Sequence, residues 1–251
     1  MSQPERISEA QPLWEEFESV VKTRRSVRKF TEQPVSERDM NDVVDAGIVA
    51  PNSSNLQPFE FVWVRSPEKK AALVKACFSQ SAARTAQELI VCVARWDQWD
   101  ETRQEMADWL KTQQGIPKNV TLYYDRLSKV YYSQGPLGLG GLIKQAGYTL
   151  TGLQRPTPRG PVNREDMRVW AVKSCALACE NMMLAARAKG FDSCPMEGND
   201  PVRVGKILGL PRLGYLRTWD IPMVLGFGYR SDKGIWGKQW RRERSKLVKE
   251  I

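Results

Sequence analysis

Apolar residues recur at helical spacing over residues 12–24, where Leu13, Phe17, Val20 and Val21 share one face. They predict an amphipathic helix that ends near Thr23-Arg24-Arg25-Ser26. Ser36-Glu-Arg-Asp39 has the form of a capping box, and Val43, Val44, Ile48 and Val49 supply the apolar face of a helix running to residue 50. Pro51-Asn52-Ser53-Ser54-Asn55 is turn chemistry throughout. A strand is expected over 59–64, a short helix over 67–77 and a buried strand over 89–95. Residues 167–189 form the longest predicted helix. Val172, Cys175, Ala176, Cys179, Met182, Met183 and Ala186 make it apolar over much of its circumference, and its small residues allow close packing. Gly190 is its stop. A short helix over 203–208 closes at Gly209, and 222–229 reads as a core strand. Helices dominate and strands are scattered, which favours an α+β fold over a doubly wound α/β one.

Between residues 96 and 166 the chain becomes rich in Trp, Tyr, Gly and Pro, with Tyr123-Tyr124, Tyr131-Tyr132 and Gly135-Pro-Leu-Gly-Leu-Gly-Gly141. This stretch reads as an insertion or lid with some helix, within a single domain spanning 1–251 that ends in an extension over about 230–251. The chain of 251 residues is 41% hydrophobic and 27% charged, a balance that excludes disordered and fibrous classes. Surface scaling gives a folded area of about 11,000 Å², so a sizeable core is available. There is no histidine. That excludes Ser-His-Asp and Cys-His nucleophile pairs, histidine-ligated metals and imidazole acid–base chemistry. The five cysteines, Cys77, Cys92, Cys175, Cys179 and Cys194, lack metal-site spacing and suit reduced, buried thiols in the cytoplasm. The acidic start of the chain, with Glu5, Glu9, Glu15 and Glu16, has no apolar core of a signal peptide. No run reaches the ~20 apolar residues that span a bilayer, so no membrane association is expected.

The formal net charge of +9 is uneven. Lys22, Arg24, Arg25, Arg28 and Lys29 form one cluster, and Lys238, Arg241, Arg242, Arg244, Lys246 and Lys249 another. Neither interleaves aromatic residues as a single-strand nucleic-acid site would, and no nucleic-acid module is present. Arginine around a serine at a helix-to-loop transition suits a phosphate, because the guanidinium is planar, bidentate and always charged. If extended, the segment points Arg24, Ser26 and Arg28 the same way. The glycines of 135–141 fit neither a dinucleotide fingerprint nor a P-loop. Cys175 and Cys179 share a helix face as packing residues, which Glu180 and Asn181 interrupt with polar groups of no further assigned role.

Thr23-Arg-Arg-Ser-Val-Arg-Lys-Phe30, Ala50-Pro-Asn-Ser-Ser-Asn-Leu-Gln-Pro-Phe59, Cys194-Pro-Met-Glu-Gly198 and Gly234-Ile-Trp-Gly-Lys-Gln-Trp-Arg241 together resemble the nitroreductase family of FMN-dependent oxidoreductases. They stand in that family's order at compatible spacing. The resemblance implies a central, mostly antiparallel sheet flanked by helices, with the long central helix at a homodimer interface. Arg24, Arg25, Ser26 and Arg28 match the first FMN-binding segment, in which the resemblance implies that Arg24 and Ser26 serve the phosphate and ribityl end and that Arg28 faces the flavin pyrimidine. Pro51, Asn52, Ser53 and Asn55 match a loop that reaches FMN held mainly by the other subunit. Pro195, Met196, Glu197 and Gly198 match the segment along the isoalloxazine, with a backbone N–H toward flavin N5. Arg241 matches a phosphate-binding arginine. Gln239 stands where the family often has a cation, which leaves the phosphate with one fewer cation or with Lys238 or Arg244 instead. Ser79, Gln80 and Ala82 occupy the neighbourhood of another flavin contact.

The implied activity is hydride transfer from NAD(P)H through flavin N5 to a nitroaromatic or quinone acceptor in a ping-pong cycle. No side chain is needed as acid or base, and no metal is needed. Tyr123, Tyr124, Tyr131, Tyr132 and Trp109 are the expected source of acceptor selectivity. The alternatives on the same fold are reductive dehalogenation or desaturation of a small metabolite, or flavin binding with little turnover.

Overall fold

The computed structural model describes residues 10–211 and 217–251, so Glu5 and Glu9 lie outside the described part. A sheet of four antiparallel strands has the order β1-β2-β4-β3: β1 is Phe59–Trp63, β2 Glu88–Arg95, β3 Asp192–Met196 and β4 Trp219–Gly228. Helices cover both faces, which explains why β2 reads as a continuous apolar run. Its alternate residues divide between two cores. Ile90, Cys92 and Ala94 face a core built with α2 (Glu37–Ile48) and α9 (Arg164–Ala188). Leu89, Val91 and Val93 face the other, built with α3 (Pro67–Ala76), α4 (Ser81–Thr85) and α10 (Pro201–Leu208).

The helix boundaries follow their caps. Ser36 accepts from the Asp39 N–H at 3.0 Å to open α2, and Asn163 accepts from the Asp166 N–H at 2.9 Å to open α9. Asp200 caps α10 through the amides of Val202 and Arg203, both at 3.1 Å. Gly190, at φ +89°, follows α9 in the left-handed region where glycine costs least. The close approach of α2 to α9 depends on Gly47, where a Cβ would stand 2.7 Å from Met182 Cγ. Asn181 joins the same contact by donating to the Ala46 carbonyl at 3.1 Å.

The expected elements are present with boundary shifts of a few residues, and the fold is α+β. Two were not foreseen. β3 is a short Asp-Ser-Cys-Pro-Met segment without an alternating pattern, and α4 is only five residues long. Residues 96–166 are mainly helical: α5 is Trp99–Lys111, α6 Lys118–Leu122, α7 Ser128–Tyr132 and α8 Leu139–Thr151. A π-helical turn, Tyr123–Leu127, joins α6 to α7.

The single chain exposes 16,457 Å², well above the area of about 11,000 Å² that its mass predicts. Leu13, Phe17 and Val21 on α1 (Ala10–Thr23), Val169 and Leu177 on α9, and Leu142, Ile143 and Leu150 on α8 are all exposed. All five cysteines are buried free thiols.

Candidate functional site

After α1 the chain runs extended between β3 and the C-terminal segment. Ser26 forms a parallel bridge to Ser193, the Val27 N–H donates to the Ser193 carbonyl at 3.0 Å, and the Arg28 N–H donates to the Gly234 carbonyl at 2.6 Å. Phe30 pairs with Arg230. Val27 is fully buried. The segment's other side, with Arg24, Arg25, Ser26 and Arg28, lines a cleft of about 200 Å³ that Trp236 and Arg241 complete. Alternation alone would have turned Arg25 away. Its guanidinium instead donates to the carbonyls of Trp236 (3.3 Å) and Gly237 (3.1 Å), tying the two stretches together.

Each remaining cation is held by a specific neighbour. Arg28 Nη1 donates to Cys194 Sγ at 3.7 Å, and its guanidinium lies 5.4 Å from the centroid of the Trp236 ring. Burial pushes the Cys194 thiol above its ordinary pKa despite Arg28, so a neutral sulfur accepts from the cation. Gln239 bridges by donating to the Lys22 carbonyl at 3.0 Å and accepting from Arg241 at 2.8 Å. Glu180 lies 3.6 Å from Arg24 Nε, giving that polar interruption of α9 a partner. Lys238 and Arg244 are not among the residues lining the cleft. Four guanidinium groups and a hydroxyl converge there, a donor set matched to a phosphate.

Pro195, Met196, Glu197 and Gly198 follow from Cys194 at the end of β3. Pro195 and Met196 are paired with Leu225 and Val224, and Met196 is buried. Glu197 and Gly198 are exposed. Their carbonyls are taken: the Asn199 N–H donates to Glu197 at 2.8 Å and the Gln80 side chain to Gly198 at 3.0 Å. Among the described residues neither the Glu197 nor the Gly198 N–H has an acceptor within the chain. The Gln80 contact places the 78–80 turn, left-handed at Phe78 and Ser79, beside this segment. Ala82 is buried.

Pro51, Asn52, Ser53 and Asn55 form a separate group. Among the described residues no hydrogen bond or ion pair joins them to the arginine cleft. Asn52 organises the turn, with its side-chain N–H donating to the Ala50 carbonyl (3.2 Å) and its oxygen accepting from the Gln57 N–H (2.8 Å). Ser54, Asn55 and Gln57 have φ of 59°, 48° and 43°, each a conformation costing on the order of 1 kcal/mol or more for a residue other than glycine. The tyrosines hold this loop. Tyr132 hydroxyl lies 3.0 Å from Ser53 Oγ and 2.9 Å from Ser54 Oγ, Tyr123 hydroxyl meets Ser54 Oγ, and Tyr124 hydroxyl donates to the Ser54 carbonyl at 2.9 Å. Tyr132 is 1% exposed, so it is a packing residue and not a surface for an acceptor. Tyr131 lines a recess of about 550 Å³ with Ser53, Trp170 and Lys173, while Trp109 lines another with Asn55 and Gln57.

Sequence reasoning missed Trp236, Cys194 and Ser54 as members of these groups. All three lie inside the recognised segments, and their proximity was the available signal. Gln80, named from the sequence for its neighbourhood, joins the group through a contact 118 residues away.

A family model described as "Nitroreductase family" matches residues 21–229. The chain is 28% identical over 211 residues to a Thermus thermophilus protein named NADH dehydrogenase, an alignment that covers 84% of this chain and 85% of that protein. Among solved structures it resembles Bacillus subtilis ydfN at TM-score 0.71 and 20% identity, over 95% of this chain and 100% of that one. An Exiguobacterium sibiricum protein solved in complex with FMN gives TM-score 0.67 and 21% identity, over 94% and 97% respectively.

Proposed function

The chain belongs to the nitroreductase family, and from that membership we propose that it is an FMN-dependent oxidoreductase taking electrons from NADH or NADPH and passing them to a nitroaromatic or quinone-type acceptor. The observation that carries this is the convergence of Arg24, Arg25, Ser26 and Arg28 with Trp236 and Arg241 from the far end of the chain. FMN, when bound, supplies the two-electron chemistry of its N5 and exchanges electrons with donor and acceptor in turn. The donor set fits the group: guanidinium groups and a hydroxyl for the phosphate, a fixed cation at Arg28, and the uncommitted N–H groups of Glu197 and Gly198. Arg28, held beside β3 by Cys194, stabilises negative charge that develops on a ring placed there, and does so more strongly where water is excluded. A relative's name specifies NADH, and a structural neighbour was solved with FMN, which supports the donor and the cofactor.

The working unit is a homodimer. Val169 and Leu177 on α9 and Leu13 and Phe17 on α1 are apolar and exposed, the composition of the core of a homodimer interface. The second subunit gives the 51–55 loop its role, since Pro51, Asn52, Ser53 and Asn55 reach the cofactor of the opposite chain. Sedimentation tests this: Leu177→Glu with Phe17→Glu should give a monomer that loses FMN.

The activity is tested by the visible spectrum of the purified protein, anaerobic titration with NADH and NADPH, and steady-state oxidation with menadione or a nitroaromatic. A colourless protein that fails to take up FMN refutes the proposal. A yellow protein that neither nucleotide reduces refutes the catalytic half.

A further inference from the structure

The tyrosines of the helical insertion meet the 51–55 loop at one place. Three phenol groups from two successive turns, Tyr123, Tyr124 and Tyr132, converge on Ser53 and Ser54. The recipient backbone is the least relaxed part of the segment, with left-handed φ at Ser54 and Asn55. Tyr132 is fixed independently of its hydroxyl, because its ring packs 6.0 Å from Trp99 and 4.8 Å from Trp170, centroid to centroid. Its hydroxyl is therefore presented from a rigid support. Tyr124 adds a bond to the Ser54 carbonyl, which fixes the peptide plane as well as the side chain.

We propose that Tyr124 and Tyr132 are positioning residues: the insertion clamps Ser53 and Ser54 and thereby holds Asn52 and Asn55 in the geometry that grips the FMN of the opposite subunit. This rests on the assignment of the loop to that cofactor and adds a mechanism to it. The insertion is thus coupled to cofactor retention, in addition to any influence on the acceptor. The strained loop supplies the reason a clamp is required. Asn52 organises the turn from within, but its bonds go to Ala50 and Gln57 and leave the Ser53-Ser54 corner to the tyrosines.

The test uses the full-length protein carrying Tyr132→Phe, Tyr124→Phe or both, which keep the rings and remove only the hydroxyl bonds. Hydrogen exchange at the Asn55 and Leu56 amides, which close the turn onto Asn52 and Ser53, should accelerate about tenfold in the double variant. Exchange in β2 and β4 should be unchanged, which separates loop release from general destabilisation. FMN affinity, measured by fluorescence quenching on the apoprotein, should fall about tenfold with the dimer intact. Asn55→Ala is the control for the loop's role. If it weakens FMN binding while the double phenylalanine variant alters neither exchange nor affinity, the clamp is refuted and the loop assignment stands. If exchange accelerates but neither the tyrosine variants nor Asn55→Ala changes FMN affinity, the loop does not reach the cofactor, and the positioning role falls with that assignment.

Discussion

Asp192 offers the sharpest test of how the arginine cleft is held. It is 3% exposed at the start of β3. Arg230 binds it through two nitrogens, at 2.6 Å and 2.5 Å, and Arg187 approaches to 3.5 Å. The same two arginines hold the end of α1, with Arg187 Nε donating to Thr23 Oγ1 at 2.9 Å and Arg230 to the Thr23 carbonyl at 3.4 Å. Asp192 therefore anchors the point from which Arg24 departs. Asp192→Asn removes the charge, keeps the shape and leaves two cations facing a neutral amide. Breaking a buried pair costs about 3–5 kcal/mol, but both arginine side chains retain a quarter to a third of their exposure, which reduces the expected loss to about 2–3 kcal/mol. For a chain of this size that lowers Tm by roughly 4–12 °C. Urea and thermal unfolding of the apoprotein measure the loss, and FMN titration of the folded variant measures the loosening of Arg24. A loss below about 0.5 kcal/mol with unchanged FMN affinity would refute the anchoring role.

Arg241→Gln should weaken FMN binding about tenfold or more and leave riboflavin binding unchanged, because riboflavin lacks the phosphate. Equal losses for both ligands would show that Arg241 acts elsewhere. Burial pushes the Cys77 thiol up to about 11, so the folded state resists its ionisation. Its contribution is fully present below the ordinary thiol value of ~8.5 and is lost as pH rises through 11, amounting to roughly 3 kcal/mol. Urea unfolding between pH 8 and 11 should show that decline in the native chain and a flatter limb in Cys77→Ala. Parallel curves would contradict it.

Periodicity carried most of the fold. α2, α9 and α10 each combine a helical apolar pattern with a cap visible in the sequence, and β2 is an unbroken apolar run. β3 was legible only as a motif. It is five residues long, includes a proline and presents a charge at its first position, which Arg230 neutralises from a distant segment. No local pattern encodes such a partner. The sheet order was likewise out of reach, because it depends on long-range pairing. The four recognised segments named most of the cleft, but not the way it is fastened. Cys194 under Arg28, Glu180 beside Arg24 and Tyr132 against Ser53 are contacts between residues far apart in the chain. The tyrosine pairs stood out by composition and suggested a surface for the acceptor. Burial of Tyr132 shows that one of them supports a loop instead.

The anion cleft joins residues more than two hundred positions apart, Arg25 being fastened to Gly237. β4, which lies between β2 and β3, ends only 23 residues before Ile251, so neither the sheet nor the cleft closes until nearly the whole chain has left the ribosome. A released chain ending at Arg230 would keep all four strands yet lack Trp236 and Arg241, and would be compact but pale. A bulky insertion placed just beyond Arg241 would therefore interfere with loading while sparing the sheet.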